Sequence, residues 1–322
     1  MIKNNKLLFI DGITRSGKSS ICQTIVALKN VEHVDLNYDF EYLFAGLVNK
    51  KISLNFLKNF FDSSFSRYTY DRLLGRNINL KKNDFTGIYN YYDPKIYLER
   101  IKLNNKFARY HYKKTTIQKK IKSDDVLNTL KSKLIYFPIQ THYLMENYEI
   151  LKKLDLNFKI IRLNRHPVDI IYSFYKRGWG KIRRYNVNHN YKYASYTKEI
   201  DGTLIPWFLN INKEKYIQYN EIERCIFSVV SNLKRIKNKN YPDVFVINFD
   251  ELCENPNLQF DKLCKFLMTK KQKKLNLFLS RANFPRKIDI SERNRKYKFI
   301  LKKSKNKKLI KMLDHEIEIF EK

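Results

Sequence analysis

The chain has 322 residues and a formal net charge of +32, from 64 Lys and Arg against 32 Asp and Glu. Hydrophobic residues make up 43% and aromatic residues 15%, which excludes a generally disordered chain. No run approaches the roughly 18 apolar residues of a membrane span, and residues 1–11 lack the apolar core and cleavage site of a secretory leader, so a cytoplasmic location is expected.

The length suits a single α/β domain with insertions, spanning residues 1–322. Cys22, Cys225, Cys253 and Cys264 are scattered without C-x-x-C spacing and read as reduced, mostly buried thiols. No metal-ligand cluster is evident. The positive charge runs through a chain rich in Lys, Asn, Ile and Tyr, so compositional drift explains it better than a polyanionic partner does. Nucleic acid is not an expected partner.

Lys6–Asp11 reads as a buried strand, and Gly17–Leu28 as a helix with Ile21, Ile25 and Leu28 on one face. The loop between them, Gly12-Ile13-Thr14-Arg15-Ser16-Gly17-Lys18-Ser19, matches G-x-x-x-x-G-K-[ST]. Gly12 and Gly17 let the backbone turn back and approach a ligand closely. The helix start offers free N–H groups, Arg15 and Lys18 add cations, and Thr14, Ser16, Ser19 and Ser20 add hydroxyls. The stretch is therefore expected to bind an anion.

Val31–Leu36 suits a second strand, and Phe40–Phe61 has helical spacing with a break at Ser53-Leu54. Residues 62–123 interleave aromatic and basic side chains and read as an insertion over the open end of a sheet. Asp124 can cap a short helix. Lys133–Ile139 and Phe158–Leu163 follow as strands, and a helix runs from Pro167 to Arg177, where Gly178 and Gly180 stop it. Residues 181–215 are basic and aromatic without a clear period. Glu221–Ile236 is an amphipathic helix, Val244–Phe249 a strand and Asn257–Met268 a helix. The basic C-terminal segment, 281–322, begins with a tail, Arg281–Lys303, and closes with a helix ending near Phe320. This alternation predicts an α/β fold: a P-loop-like three-layer sandwich around a parallel sheet of about five strands, with ligands at the strands' carboxyl ends.

Arg165 stands at a strand's end and Ser173 lies two turns into the next helix, so the two can converge on one phosphate. Together they spell R-x-P-x-D-x-x-x-S. This resembles the 3′-phosphate-binding segment of the sulfotransferases that use 3′-phosphoadenosine 5′-phosphosulfate (PAPS). Arg15-Ser16-Gly17-Lys18-Ser19 is similar to that family's 5′-phosphosulfate loop, with Lys18 where Thr or Ser is usual. Gln140-Thr141-His142 is similar to the K-T-H of the cytosolic members, with Gln140 replacing the lysine. Val246–Leu252, followed by Pro256 and Phe266-Leu267, resembles the strand that ends in Y-E-D-L. The closing R-K-G loop has no clean counterpart, although Arg281, Arg286, Lys287 and Arg293 supply cations in that region.

The resemblance implies sulfuryl transfer from PAPS to a hydroxyl or amine, releasing adenosine 3′,5′-bisphosphate and requiring no metal. Arg15 and Lys18 would stabilise the leaving phosphate oxygen with Ser19 and Ser20, while Arg165 and Ser173 hold the 3′-phosphate and Arg286 adds a cation. His142 would take the acceptor's proton, as an imidazole can near neutral pH. Glu41 is the rival base, because some carbohydrate sulfotransferases use a glutamate past the loop; Asp35 and Asp39 lie near it. The expected acceptor is a saccharide or another small molecule, with Trp179 and Trp207 as stacking platforms. Plainer readings stand beside these: Arg165 pairing with Asp169, and Asp250 capping a helix. A P-loop kinase using ATP and Mg²⁺ would rest on Gly17-Lys18-Ser19 and Asp250, and a polyanion-binding protein on net charge alone.

Overall fold

In a computed structural model of the chain, the described residues are 6–34, 38–73, 76–81, 87–88, 98, 134–184, 198–200, 202–236 and 241–322. Seven strands occur among them. Four form a parallel sheet: β1 (Lys6–Asp11), β2 (Tyr136–Gln140), β3 (Phe158–Asn164) and β7 (Val244–Asn248), in the order β2-β1-β3-β7. The others, β4 (Arg183–Arg184), β5 (Lys198–Ile200) and β6 (Thr203–Ile205), make a small antiparallel sheet in the order β4-β6-β5.

Side chains alternate across the parallel sheet, as the twofold period of a strand requires. Leu7, Phe9, Phe137, Ile139, Phe158 and Ile160 join one core, while Leu8, Ile10, Tyr136, Ile161 and Leu163 join the other. The first core takes helices α2 (Tyr38–Val48), α3 (Leu54–Leu73), α5 (Pro167–Lys176) and α7 (Glu221–Ile236); α4 (Tyr148–Lys152) and α6 (Lys213–Gln218) flank it. The second takes α1 (Lys18–Thr24), α8 (Phe249–Glu254), α9 (Pro256–Leu267) and α10 (Leu275–Arg281). The last two helices are α11 (Ile290–Lys303) and α12 (Lys307–Glu321), and Ile300, Leu309 and Leu313 seal them to the first core. The architecture is the expected α/β sandwich.

Among the described residues the sheet has four strands rather than about five, because residues 31–34 of the expected second strand make only a single bridge, from Val31 to Tyr136. Tyr136 N–H donates to Asn30 O at 2.8 Å and Tyr136 O accepts from Glu32 N–H at 2.9 Å. The next residue facing that edge is Pro138, which has no N–H to continue the ladder. Its carbonyl instead accepts from the Tyr68 hydroxyl at 3.5 Å.

Other boundaries also moved. The first helix tightens into a 3₁₀ turn over Ile25–Ala27, and α3 continues past Phe61 to Leu73. The stretch read as a basic tail contains α11, capped by Asp289, whose side chain accepts from Glu292 N–H. The helix capped by Asp124, the start of the strand at Lys133, Asp35 and most of the aromatic-basic stretch in 62–123 lie outside the described residues.

Candidate functional site

Two strands deliver the glycine loop and the Arg165–Ser173 segment to one place. Asp11 pairs with Arg162 across β1 and β3, so the loop after β1 emerges beside the loop after β3. The strand order also reverses between them: β1 connects to β2 on one side, and β3 to β7 on the other. Such a switch point leaves a crevice at the carboxyl ends of the strands.

Both glycines of the first loop are required by their surroundings. Gly12 has φ +140°, and a Cβ there would lie 2.6 Å from the Leu163 carbonyl oxygen. Gly17 has φ +99°, and a Cβ would lie 2.2 Å from the Phe249 ring. Between them Arg15 adopts φ 71°, which is costly for a residue with a side chain. Its guanidinium leaves the loop, and Nε donates to the Ser173 hydroxyl at 2.9 Å. Arg165 Nη1 donates to the Arg15 carbonyl at 3.1 Å. These two bonds join the segments that the sequence separates by more than a hundred residues.

The crevice is cationic. Burial lowers the Arg15 pKa, and the charges of Arg177 and Arg165 lower it further. Burial also lowers Arg165, with Asp169 and Asp250 opposing and Arg286 adding to the effect. Arg165 and Arg286 lie 4.9 and 5.6 Å from the centre of the Phe249 ring. Among the described residues, Arg15, Arg165, Arg177 and Arg286 form no ion pair with a carboxylate. The buried Ser16 Oγ and Arg165 Nε also lack a hydrogen-bond partner there. Unpaired guanidiniums and orphaned donors at one point suit an anion. Ser19 and Ser20 stand half-buried on the first turn of α1.

Lys18 points away from this crevice. It is buried, and Nζ donates to the carbonyls of Gly12 at 2.6 Å and Ile13 at 3.0 Å. Burial brings its pKa down to about 8 despite the attraction of Asp11 and Glu41. Its ammonium therefore braces the loop from beneath.

The two rival bases prove to be partners: His142 Nδ1 lies 2.8 Å from Glu41 Oε1. Phe40, next to Glu41, stacks on Phe9 at 5.0 Å and meets Phe61 at 4.7 Å, which fixes α2 to β1. Asp11 fixes the other side. Its fully buried carboxylate accepts from the Thr141 hydroxyl at 3.1 Å and from the N–H groups of Leu144 and Met145, both at 3.1 Å. Tyr143, between them, has φ 62°, stacks on Phe208 at 3.6 Å and bonds Thr14 Oγ1 through its hydroxyl at 3.0 Å. Gln140 turns to the other side, where its Oε1 accepts from the Cys22 thiol at 3.2 Å.

Several plainer readings are settled by geometry. Asp169 pairs with Arg293 and Lys296, not with Arg165. Asn248 caps α8, accepting from Asp250 N–H, while the Asp250 carboxylate pairs with Arg293 at 2.8 Å. Trp207 is buried against Tyr143 and Phe208, so it belongs to the core rather than to an open platform. Trp179 is half-buried with its ring against Phe174. Asp39 is exposed on α2. Sequence reasoning missed Asp11, Tyr143, Phe249 and the bracing role of Lys18. A carboxylate ending a buried strand was a usable signal for Asp11; the others depend on distant partners.

No protein-family model and no curated protein matches this chain. Among solved structures it is similar to the sulfotransferase domain of the Synechococcus PCC 7002 olefin synthase, at 11% identity over 97% of this chain and 94% of that one, with a TM-score of 0.44. A sulfotransferase domain from the curacin biosynthetic pathway is 14% identical over 84% of this chain and 76% of that one, with a TM-score of 0.41. A sulfotransferase from Alicyclobacillus acidocaldarius is 13% identical over 97% of this chain and 95% of that one, with a TM-score of 0.38. The overlaps are loose.

Gly17→Ala should destabilise the protein by about 1–3 kcal/mol, since it combines a strained φ with a clash against Phe249. Denaturant unfolding measures this; an unchanged midpoint would show that the loop is not held against the ring.

Proposed function

We propose that this protein transfers a sulfuryl group from PAPS to an acceptor hydroxyl or amine. The observation that carries the reading is the joining of the two anion-binding segments through Arg15, Ser173 and Arg165. A donor with a phosphosulfate at one end and a 3′-phosphate at the other needs two neighbouring anion sites. The residues present fit that need: guanidiniums without a carboxylate partner among the described residues, orphaned donors on Ser16 and Arg165, and glycines that keep Cβ atoms out of the loop.

The donor supplies the sulfuryl group and a phosphate leaving group. In-line attack forms the acceptor O–S (or N–S) bond and breaks the S–O bond to phosphate. Negative charge then grows on the leaving oxygen, where Arg15 and the loop N–H groups are placed to stabilise it. Lys18 acts from below by holding the loop's shape and adding its charge. Arg165, with Ser173, holds the 3′-phosphate.

His142 takes the acceptor's proton. Glu41 accepts from Nδ1–H, which leaves Nε2 as the basic nitrogen and stabilises the imidazolium that forms. The two candidates thus divide one task, proton acceptance and orientation. We infer a saccharide or other small molecule as acceptor.

A P-loop kinase is the second reading, and the Asp250–Arg293 pair counts against it. The aspartate that would serve the metal is already committed to a guanidinium. Thermal shift separates the two. Adenosine 3′,5′-bisphosphate without metal should raise the melting temperature, whereas stabilisation by ADP with Mg²⁺ alone would sink the sulfotransferase reading.

Turnover can be followed as bisphosphate release from PAPS in the presence of saccharide and phenol acceptors. His142→Ala should lower it by about 10²-fold or more. Glu41→Gln should lose less, with the loss in kcat rather than in KM for the donor. Near-normal turnover in His142→Ala would hand the role of base to Glu41.

Lys18 predicts a pH dependence. Its ammonium is charged below about pH 8 and neutral above it, so kcat/KM should fall as pH rises through that value. Lys18→Thr should keep measurable turnover without that decline. A variant that retains the same limb would assign it to another group, and a kinase would lose turnover altogether.

A further inference from the structure

Arg293 touches none of the groups assigned above to the reaction, yet it is buried at the edge of the crevice. It lies on α11, and its Nε and Nη2 donate to Asp169 Oδ2 at 3.1 and 3.0 Å. Nη2 also lies 2.8 Å from Asp250 Oδ2. Lys296 Nζ takes the other Asp169 oxygen at 3.0 Å. Burial alone would raise the Asp169 carboxyl, but the Lys296 bond and the charges of Arg165 and Arg293 bring it below the ordinary carboxylate range.

These are the two carboxylates whose charge reaches Arg165. Asp169 is the acidic residue nearest to Arg165 in sequence, and an ion pair between them is the plainer alternative to a phosphate-holding role. Both oxygens of Asp169 are instead occupied from α11, and Arg165 is left with the Arg15 carbonyl, the Phe249 ring and an unpartnered Nε. An arginine already bound to a carboxylate must give that bond up to hold a phosphate. An arginine whose neighbouring carboxylates are held elsewhere binds without that exchange.

We propose that Arg293 and Lys296 form a clamp that holds Asp169 and Asp250 away from Arg165, so that Arg165 stays open to an anionic ligand. Arg293 is thus a positioning residue for the donor site, supplied from the C-terminal helices. The proposal rests on the reading of Arg165 as a phosphate holder and names what keeps it available.

A purely structural ion pair predicts something different. It would lose stability on mutation, and deleting the opposing charge would not restore ligand binding. Calorimetric titration with adenosine 3′,5′-bisphosphate and with inorganic pyrophosphate tests the clamp. Arg293→Ala should weaken both ligands by about tenfold or more, through freed carboxylates that compete for Arg165. Arg293→Ala with Asp169→Asn should regain most of the affinity although the same arginine contacts are missing. Should Arg293→Ala not fold, Arg293→Lys compared with Arg293→Lys/Asp250→Asn carries the same test, because one ammonium cannot hold two carboxylates as the guanidinium does. Unchanged binding in the single variant, or a double variant as weak as the single, overturns the clamp. Wild-type binding of pyrophosphate but not bisphosphate overturns the sulfotransferase reading, and the pyrophosphate series then decides the clamp. Wild-type binding of neither overturns both.

Discussion

A buried carboxylate at the end of β1 is the constraint on which the crevice depends. Asp11 is fully buried, and a carboxylate out of water costs several kcal/mol unless its lone pairs are met. They are met by the Thr141 hydroxyl and by two N–H groups of the turn after β2. The glycine loop and the His142 turn are thereby tied to the same atom group. Thr14 and Tyr143 add a second tie from the loop side. Parallel pairing of β1 with both β2 and β3 then brings three strand ends together, each carrying one part of the site.

Charge is distributed in two layers. Beneath the loop, Lys18 is turned inward and its ammonium is spent on loop carbonyls. Above it, Arg15 feels the charges of Arg177 and Arg165, which lower its pKa after the larger effect of burial. Like charges held this close repel one another, and the proposed donor would bring the opposing charge. The overall net charge has little to do with this. What matters is that the nearby acids, Asp169 and Asp250, are held from α11.

Local chemistry was readable in the chain. The glycine loop, the Arg165–Ser173 spacing, the helix break before Leu54 and the alternation of strands with helices all follow from residues close in sequence. Arg15 and Ser173, 158 positions apart, meet directly. The fifth strand is missing among the described residues because Pro138 occupies the ladder position that needs a donor, and only the register shows that it faces that edge.

The sequence by itself determined the fold class and marked out the glycine loop, the Arg165–Ser173 segment, His142 and Glu41 as candidates, because glycine geometry, side-chain charge and twofold or helical periodicity act over a few residues. Tertiary structure decided how those parts are used. It made His142 and Glu41 one hydrogen-bonded pair, turned Lys18 beneath its own loop, buried Trp207 and gave the basic C-terminal segment a helix that grips Asp169 and Asp250. Each of these outcomes depends on which distant strand ends and helix faces meet, and residues separated by a hundred or more positions carry no local signal of the meeting.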